Sequence, residues 1–215
     1  MNYGRLYEYR FRDVPQNART AVWQALTPSL LERLGNPERV LDPAAGRCEF
    51  INAATAAERW AVDAVAHEQA DADGGVRLLL GDAMSVELPR EHFDAIWVSN
   101  LLEHLASQEA VADFLERMLG LLRRGGRIGV MGPNFRCCAR RYFDFADHAV
   151  ALTERSVAEH LYAAGFSLLE IEARFLPYSF TGRLPASPAL VRAYLRCPPA
   201  RRLLGKQFLV VAQRP

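Results

Sequence analysis

The 215-residue sequence predicts an α/β fold, a doubly wound sheet with mostly parallel strands, and three observations predict it. Short apolar strands recur with an acidic residue at or just beyond the carboxyl end: Val40-Leu41-Asp42, Trp60-Ala61-Val62-Asp63 and Val76-Arg77-Leu78-Leu79-Leu80-Gly81-Asp82. The first of them runs directly into Pro43-Ala44-Ala45-Gly46-Arg47-Cys48, a small-residue turn where a strand must become a helix. Further on, Leu119-Gly120-Leu121-Leu122 ends an amphipathic helix, Gly125-Gly126 reads as its stop signal, and Ile128-Gly129-Val130-Met131 starts another strand.

Each element follows in order. Residues 1–36 form a leader in which Ala21, Val22, Ala25, Leu26, Leu30, Leu31 and Leu34 recur at roughly helical spacing, so one or two helices lie across the sheet. Tyr7, Tyr9, Arg10 and Phe11 precede them, either as a lid or as a packed aromatic cluster. Strands follow at Val40, Trp60, Val76 and Phe93. Ala110 to Leu122 places Val111, Phe114, Leu115, Met118, Leu121 and Leu122 on one face, the pattern of a helix that covers a sheet. After the fifth strand, Thr153 caps a helix that buries Val157, Leu161 and Ala164 and ends at Gly165. Phe166 to Phe175 and Gln207 to Ala212 are the last two strands. Residues 176–206 between them are too long for a hairpin loop and are rich in proline and arginine, which points to function.

Composition narrows the classes. Half the residues are apolar and the formal net charge is +1, which argues against disorder and against wholesale nucleic-acid binding. The length suits one well-buried domain spanning 1–215. After Glu172 no acidic residue occurs, whereas Arg174, Arg183, Arg192, Arg196, Arg201, Arg202, Lys206 and Arg214 follow. Cys48, Cys137, Cys138 and Cys197 have neither C-x-x-C nor zinc-type histidine spacing, so no metal site is expected, and an adjacent cysteine pair fits a reducing compartment. Met1 to Arg12 lacks the apolar core of a signal peptide, and no stretch is long enough to span a bilayer. A cytoplasmic location is the expectation.

The turn after the first strand suits an adenosine-containing ligand. Asp42 faces the crevice at the carboxyl end of its strand, and Ala44 to Gly46 permit close approach to the backbone. A phosphate-cradling G-x-G-x-x-G is absent, which disfavours a dinucleotide. Asp63 lies about 20 residues on, the spacing at which such folds put a carboxylate on ribose hydroxyls.

These residues resemble the first motif of the class I S-adenosylmethionine-dependent methyltransferases, with Asp42 and Gly46 at the family's acid and middle glycine, and Ala44 and Cys48 in place of its outer glycines. The resemblance covers roughly residues 38–134. It implies a Rossmann-like seven-stranded sheet with one antiparallel strand near the carboxyl terminus, and S-adenosylmethionine as cofactor. It further implies that Asp82, with Ala83, meets the adenine, and that Phe93 to Leu105 is the fourth strand and the turn over the cofactor, bringing in Ser99, Asn100 and His104. On this view residues 1–36 are a helical lid, 37–134 the cofactor half and 135–215 the acceptor half, with a basic insertion at 176–206.

Methyl transfer to a hydroxyl needs alignment and one proton acceptor. His104, in Leu102-Glu103-His104-Leu105, reads first as pocket lining. His148, in Asp144-Phe145-Ala146-Asp147-His148, has the ingredients of a general base whose tautomer Asp147 or Asp144 fixes, although a bracing role for the next helix accounts for it nearly as well. Arg136, Arg140 and Arg141, with Tyr142 beside them, suit an anionic acceptor or a solvated helix face. Residues 134–165, with Arg174-Phe175-Leu176-Pro177-Tyr178 and the final strand, look like small bacterial methyltransferases of glycan or cell-surface polysaccharide assembly. That suggests a sugar hydroxyl as acceptor and, through Pro188 to Arg196, contact with an anionic membrane. The competing readings are a catalytically silent cofactor-binding scaffold and an RNA methyltransferase, the latter without any RNA-binding module in the sequence.

Overall fold

The structure is a computed structural model that describes residues 3–12, 16–64, 72–177 and 187–215. The strands are β1 (Arg39–Asp42), β2 (Glu58–Asp63), β3 (Val76–Leu80), β4 (Phe93–Ser99), β5 (Leu122–Pro133), β6 (Ser167–Glu172) and β7 (Gln207–Gln213). They form one sheet in the order β3-β2-β1-β4-β5-β7-β6. The first five are mutually parallel, and β7 runs antiparallel to both β5 and β6. This is the Rossmann-like architecture expected above, seven strands with one reversed near the carboxyl terminus. The order turns back between β1 and β4, so a crevice opens at their carboxyl ends, where such sheets bind ligands.

Helices α1 (Tyr3–Phe11), α2 (Gln16–Arg33), α3 (Glu49–Ala53), α4 (Gln108–Leu121), α5 (Phe135–Tyr142), α6 (Glu154–Ala163), α7 (Pro188–Leu195) and α8 (Pro198–Leu204) complete the chain. One core gathers Leu41, Ile96, Phe114, Leu115, Met118, Val157 and Leu161, so α4 and α6 cover one face. The other gathers Trp23, Leu26, Leu30, Phe50, Ile51 and Trp97 under α2 and α3, with Val191 and Leu195 of α7 against it. Central strands buried on both faces explain why β4 reads as a nearly continuous apolar run. Caps fix the covering helices: the Ser107 side chain accepts from the Ala110 amide, and Thr153 with Ser156 makes a reciprocal capping box.

Two expectations change. The Gly125-Gly126 pair does not stop α4, which ends at Leu121 and gives way directly to β5. The pair lies in an irregularity of that strand, where the register with β4 jumps between Phe93 and Ala95. A Cβ on Gly126 would sit 2.9 Å from the Arg123 carbonyl oxygen and 3.0 Å from that of Phe93, so glycine serves close packing there. The sixth strand is shorter than Phe166 to Phe175, and Phe175 instead fills the core. Tyr178 and Arg183 lie outside the described residues.

Candidate active site

The crevice is built from strand tips. Asp42 ends β1 fully buried, its Oδ1 accepting the Ala44 amide at 3.3 Å. Burial pushes its carboxyl up to about 8. The turn is stapled to β2: the Ala45 amide donates to the Val62 carbonyl at 2.9 Å and the Gly46 amide to Asp63 Oδ2 at 2.6 Å. Gly46 has φ 54°, and a Cβ built on it would meet nothing within 4 Å, so the turn presents bare backbone to open space.

The two departures from the glycine motif have different costs. Ala44 is absent from the residues with positive φ, so alanine is at ease there. Cys48 is left-handed at φ 61° and carries a backbone penalty of about 1 kcal/mol. Its thiol is fully buried in the α2/α3 core, which directs it away from the crevice. The Cys48 side chain is committed to the core and the space at Gly46 is open, so the turn fits a nucleoside cofactor.

The next tips continue the wall. Asp82 follows β3, exposed, with Oδ1 accepting the Met84 amide at 2.8 Å. Ala83 beside it is buried, and its carbonyl accepts from Arg117 Nε of α4 at 2.7 Å, while Arg117 Nη2 holds the Val86 carbonyl at 2.6 Å. Sequence reasoning passed over Arg117, which sits on the polar side of an otherwise ordinary amphipathic helix. Ser99 ends β4; Asn100, left-handed at φ 50°, donates its amide to the Met131 carbonyl at 2.8 Å and turns the chain into a short 3-10 turn over Leu102–His104.

A second cluster adjoins this turn. His104 Nδ1 lies 3.0 Å from the Asp147 carbonyl oxygen and 3.4 Å from its carboxylate. A carbonyl only accepts, so the His104 Nδ1 carries a proton. The rings of His104 and His148 are 4.9 Å apart, edge to face, and His148 stacks on Phe145 at 5.0 Å. Burial, and then the neighbouring His104, push His148 down to about 4. Its buried Nδ1 makes no hydrogen bond of standard geometry among the described residues, although the Tyr142 backbone interacts with the ring. The buried Glu103 completes the group; its carbonyl accepts the Ala149 amide at 2.8 Å and that of Val150 at 3.2 Å, locking the two loops together. Arg10 of α1 pairs with the Asp147 carboxylate and lies over the Phe145 ring at 4.8 Å, so the leader reaches this cluster. Burial works to raise the Asp147 pKa, and the Arg10 and His104 charges outweigh it and hold the carboxyl low.

Several expectations are corrected by this geometry. Asp147 orients His104 and not His148, and Asp144 is a surface residue 3.6 Å from Arg141. Tyr142 is fully buried; its hydroxyl donates to the Val150 carbonyl at 2.7 Å and accepts the Leu152 amide at 3.2 Å, which commits it to the loop and not to an acceptor. Arg136 pairs with the buried Glu154, so its charge is already balanced, whereas Arg140 is exposed. The sequence offered Arg10 only as part of a lid or aromatic cluster and Glu103 only as a neighbour of His104.

Residues 37–130 match a family model described as a methyltransferase domain. No curated protein matches the chain. Among solved structures, the chain is similar to a SAM-dependent methyltransferase from Archaeoglobus fulgidus (TM-score 0.70, 18% identity, 99% of this chain and 100% of that one covered). It is also similar to one from Mesorhizobium loti (TM-score 0.61, 16% identity, 87% and 95% covered). A geranyl diphosphate C-methyltransferase from Streptomyces coelicolor A3(2) aligns with TM-score 0.64 at 15% identity over 89% of this chain and 79% of that one. At these identities the structural likeness speaks to the fold.

Proposed function

We propose that this chain, whose residues 37–130 match a model described as a methyltransferase domain, is a class I S-adenosylmethionine-dependent enzyme that methylates a hydroxyl of a small molecule or glycan. The observation that carries the proposal is the adjacency of an open, backbone-lined crevice at Gly46 and Asp63 to a histidine pair at the same carboxyl edge of the sheet. When bound, the cofactor supplies an electrophilic methyl on a sulfonium. Asp63 holds the ribose hydroxyls, Asp82 and the Ala83 backbone meet the adenine, and Asp42, Ala44, Gly46, Ser99 and Asn100 line the remainder. The acceptor hydroxyl sits at His104 and His148 and gives up its proton there, with Asp147 keeping the His104 tautomer and Arg10 closing the leader over both. Arg140 is the cation left for an anionic acceptor.

A scaffold without activity has less support, because Ala44 is unstrained, the Cys48 side chain lies in the core and the space at Gly46 is open. An RNA acceptor lacks a binding module. We further propose peripheral contact of the α7–α8 face with an anionic bilayer; among the described residues no helix is long and apolar enough to cross one. The test is calorimetric titration with S-adenosylmethionine, followed by transfer of a radiolabelled methyl group into a cell-envelope glycan extract. Stoichiometric binding and label in the glycan fraction are expected, with Asp63→Ala losing both. Binding without transfer to any extract would favour the scaffold.

A further inference from the structure

We propose that Glu103, His104 and His148 form a binding site for a borderline divalent transition ion such as Zn2+ or Co2+, which holds the acceptor oxygen. One ligand atom from each residue lies within 4.8 Å of the others, and His104 Nε2 stands 3.9 Å from Glu103 Oε1. Ligands about 2.1 Å from a tetrahedral ion are separated by roughly 3.4 Å, so the site closes by about 1 Å through side-chain rotation.

Two independent features favour a metal over a packed histidine pair. His104 directs Nδ1 at the Asp147 carbonyl at 3.0 Å, the arrangement by which metal-binding histidines fix their tautomer and aim Nε2 at the ion. The buried Nδ1 of His148 makes no hydrogen bond of standard geometry among the described residues, and the Tyr142 backbone makes only a weaker contact with the ring, so its lone pair is weakly engaged. Two imidazoles and one carboxylate select Zn2+ or its neighbours over Mg2+ or Ca2+, which prefer oxygen donors. Three protein ligands leave a fourth position open, as catalytic sites do. Arg10 is the nearby cation, and its charge is matched by Asp147.

The role of the ion rests on the methyl-transfer reading, whereas its binding does not. With both imidazoles bound to the ion they no longer take the acceptor proton assigned to them above; a hydroxyl seated on the ion would instead lose its proton to water. Its oxygen then forms the bond to the methyl carbon as the carbon–sulfur bond breaks and the electron pair stays on sulfur as a thioether.

The experiment uses the full chain, stripped with chelator and titrated with Co2+. One equivalent is expected to bind, with ligand-field absorption in the visible, and Zn2+ is expected to displace it. His104→Ala and His148→Ala should each weaken binding by at least about tenfold. His160→Ala, whose imidazole bonds Gln108 elsewhere, should bind as the wild type does. Circular dichroism verifies that each variant is folded. Absence of stoichiometric Co2+ binding, or binding unchanged in the folded His104→Ala and His148→Ala proteins, overturns the site. Cofactor titration of the stripped protein separates the two ideas: failure there strikes the methyl-transfer reading and leaves the metal result standing.

Discussion

Asp42 shows how a single buried carboxyl makes stability depend on pH. Its carboxyl ionises at about 8 in the folded chain because burial disfavours the anion, against about 4 when unfolded. Between those values the unfolded chain has released a proton that the folded chain keeps, so stability falls as pH rises from about 4 to 8. Asp42→Asn should therefore melt higher than wild type at pH 8, differ little at pH 4, and bind S-adenosylmethionine more weakly. Melting curves across this range check it, and parallel pH dependences in the two proteins would count against a buried protonated carboxyl. The acids at 42, 63 and 82 were legible because each lies in one strand's own sequence. Glu103, Arg10 and Arg117 were not, since the sequence separations that bring Arg10 to Asp147 and Arg117 to Ala83 are 137 and 34 residues.

At the scale of elements, the segment joining α5 to α6 is held by one side chain. Tyr142 anchors both ends of its return through Val150 and Leu152, and its ring lies 4.8 Å from that of His148. Tyr142→Phe keeps the packing and leaves a buried carbonyl and a buried amide unpaired, a cost of about 1–3 kcal/mol. Chemical denaturation should find that loss with an unchanged m-value, and no loss would mean that water replaces the hydroxyl. The capping box of α6 was readable from Thr153 alone, and the amphipathic face of α4 from its spacing. The Gly125-Gly126 pair was misread because a helix stop and a tight strand irregularity call for the same residue, and only the Phe93 carbonyl beside Gly126 tells them apart.

For the whole molecule, the sheet divides the labour: the parallel half carries the crevice proposed for the nucleoside, and the loops after β4 and β5 carry the histidine cluster. The distal helices form a separate surface. In α7 and α8, Val191 and Leu195 face the core and Arg201 pairs with Glu172 at 3.0 Å, while Leu190, Leu203, Arg192, Arg196 and Arg202 are exposed. Exposed leucines among unopposed arginines suit an anionic bilayer surface. Flotation with vesicles rich in anionic lipid should retain the protein in a salt-sensitive manner, and joint charge reversal at Arg192, Arg196 and Arg202 should release it; a wild type that does not float ends the idea. By itself the sequence determined the order of strands and helices, the crevice acids and the family resemblance, because each is written in periodicity or short spacing. Tertiary structure alone decided that Asp147 serves His104, that Tyr142 is a brace, and that Glu103, His104 and His148 converge. Those outcomes depend on how the loop after β5 folds back over the turn after β4, a contact between segments about 43 residues apart that no local pattern encodes.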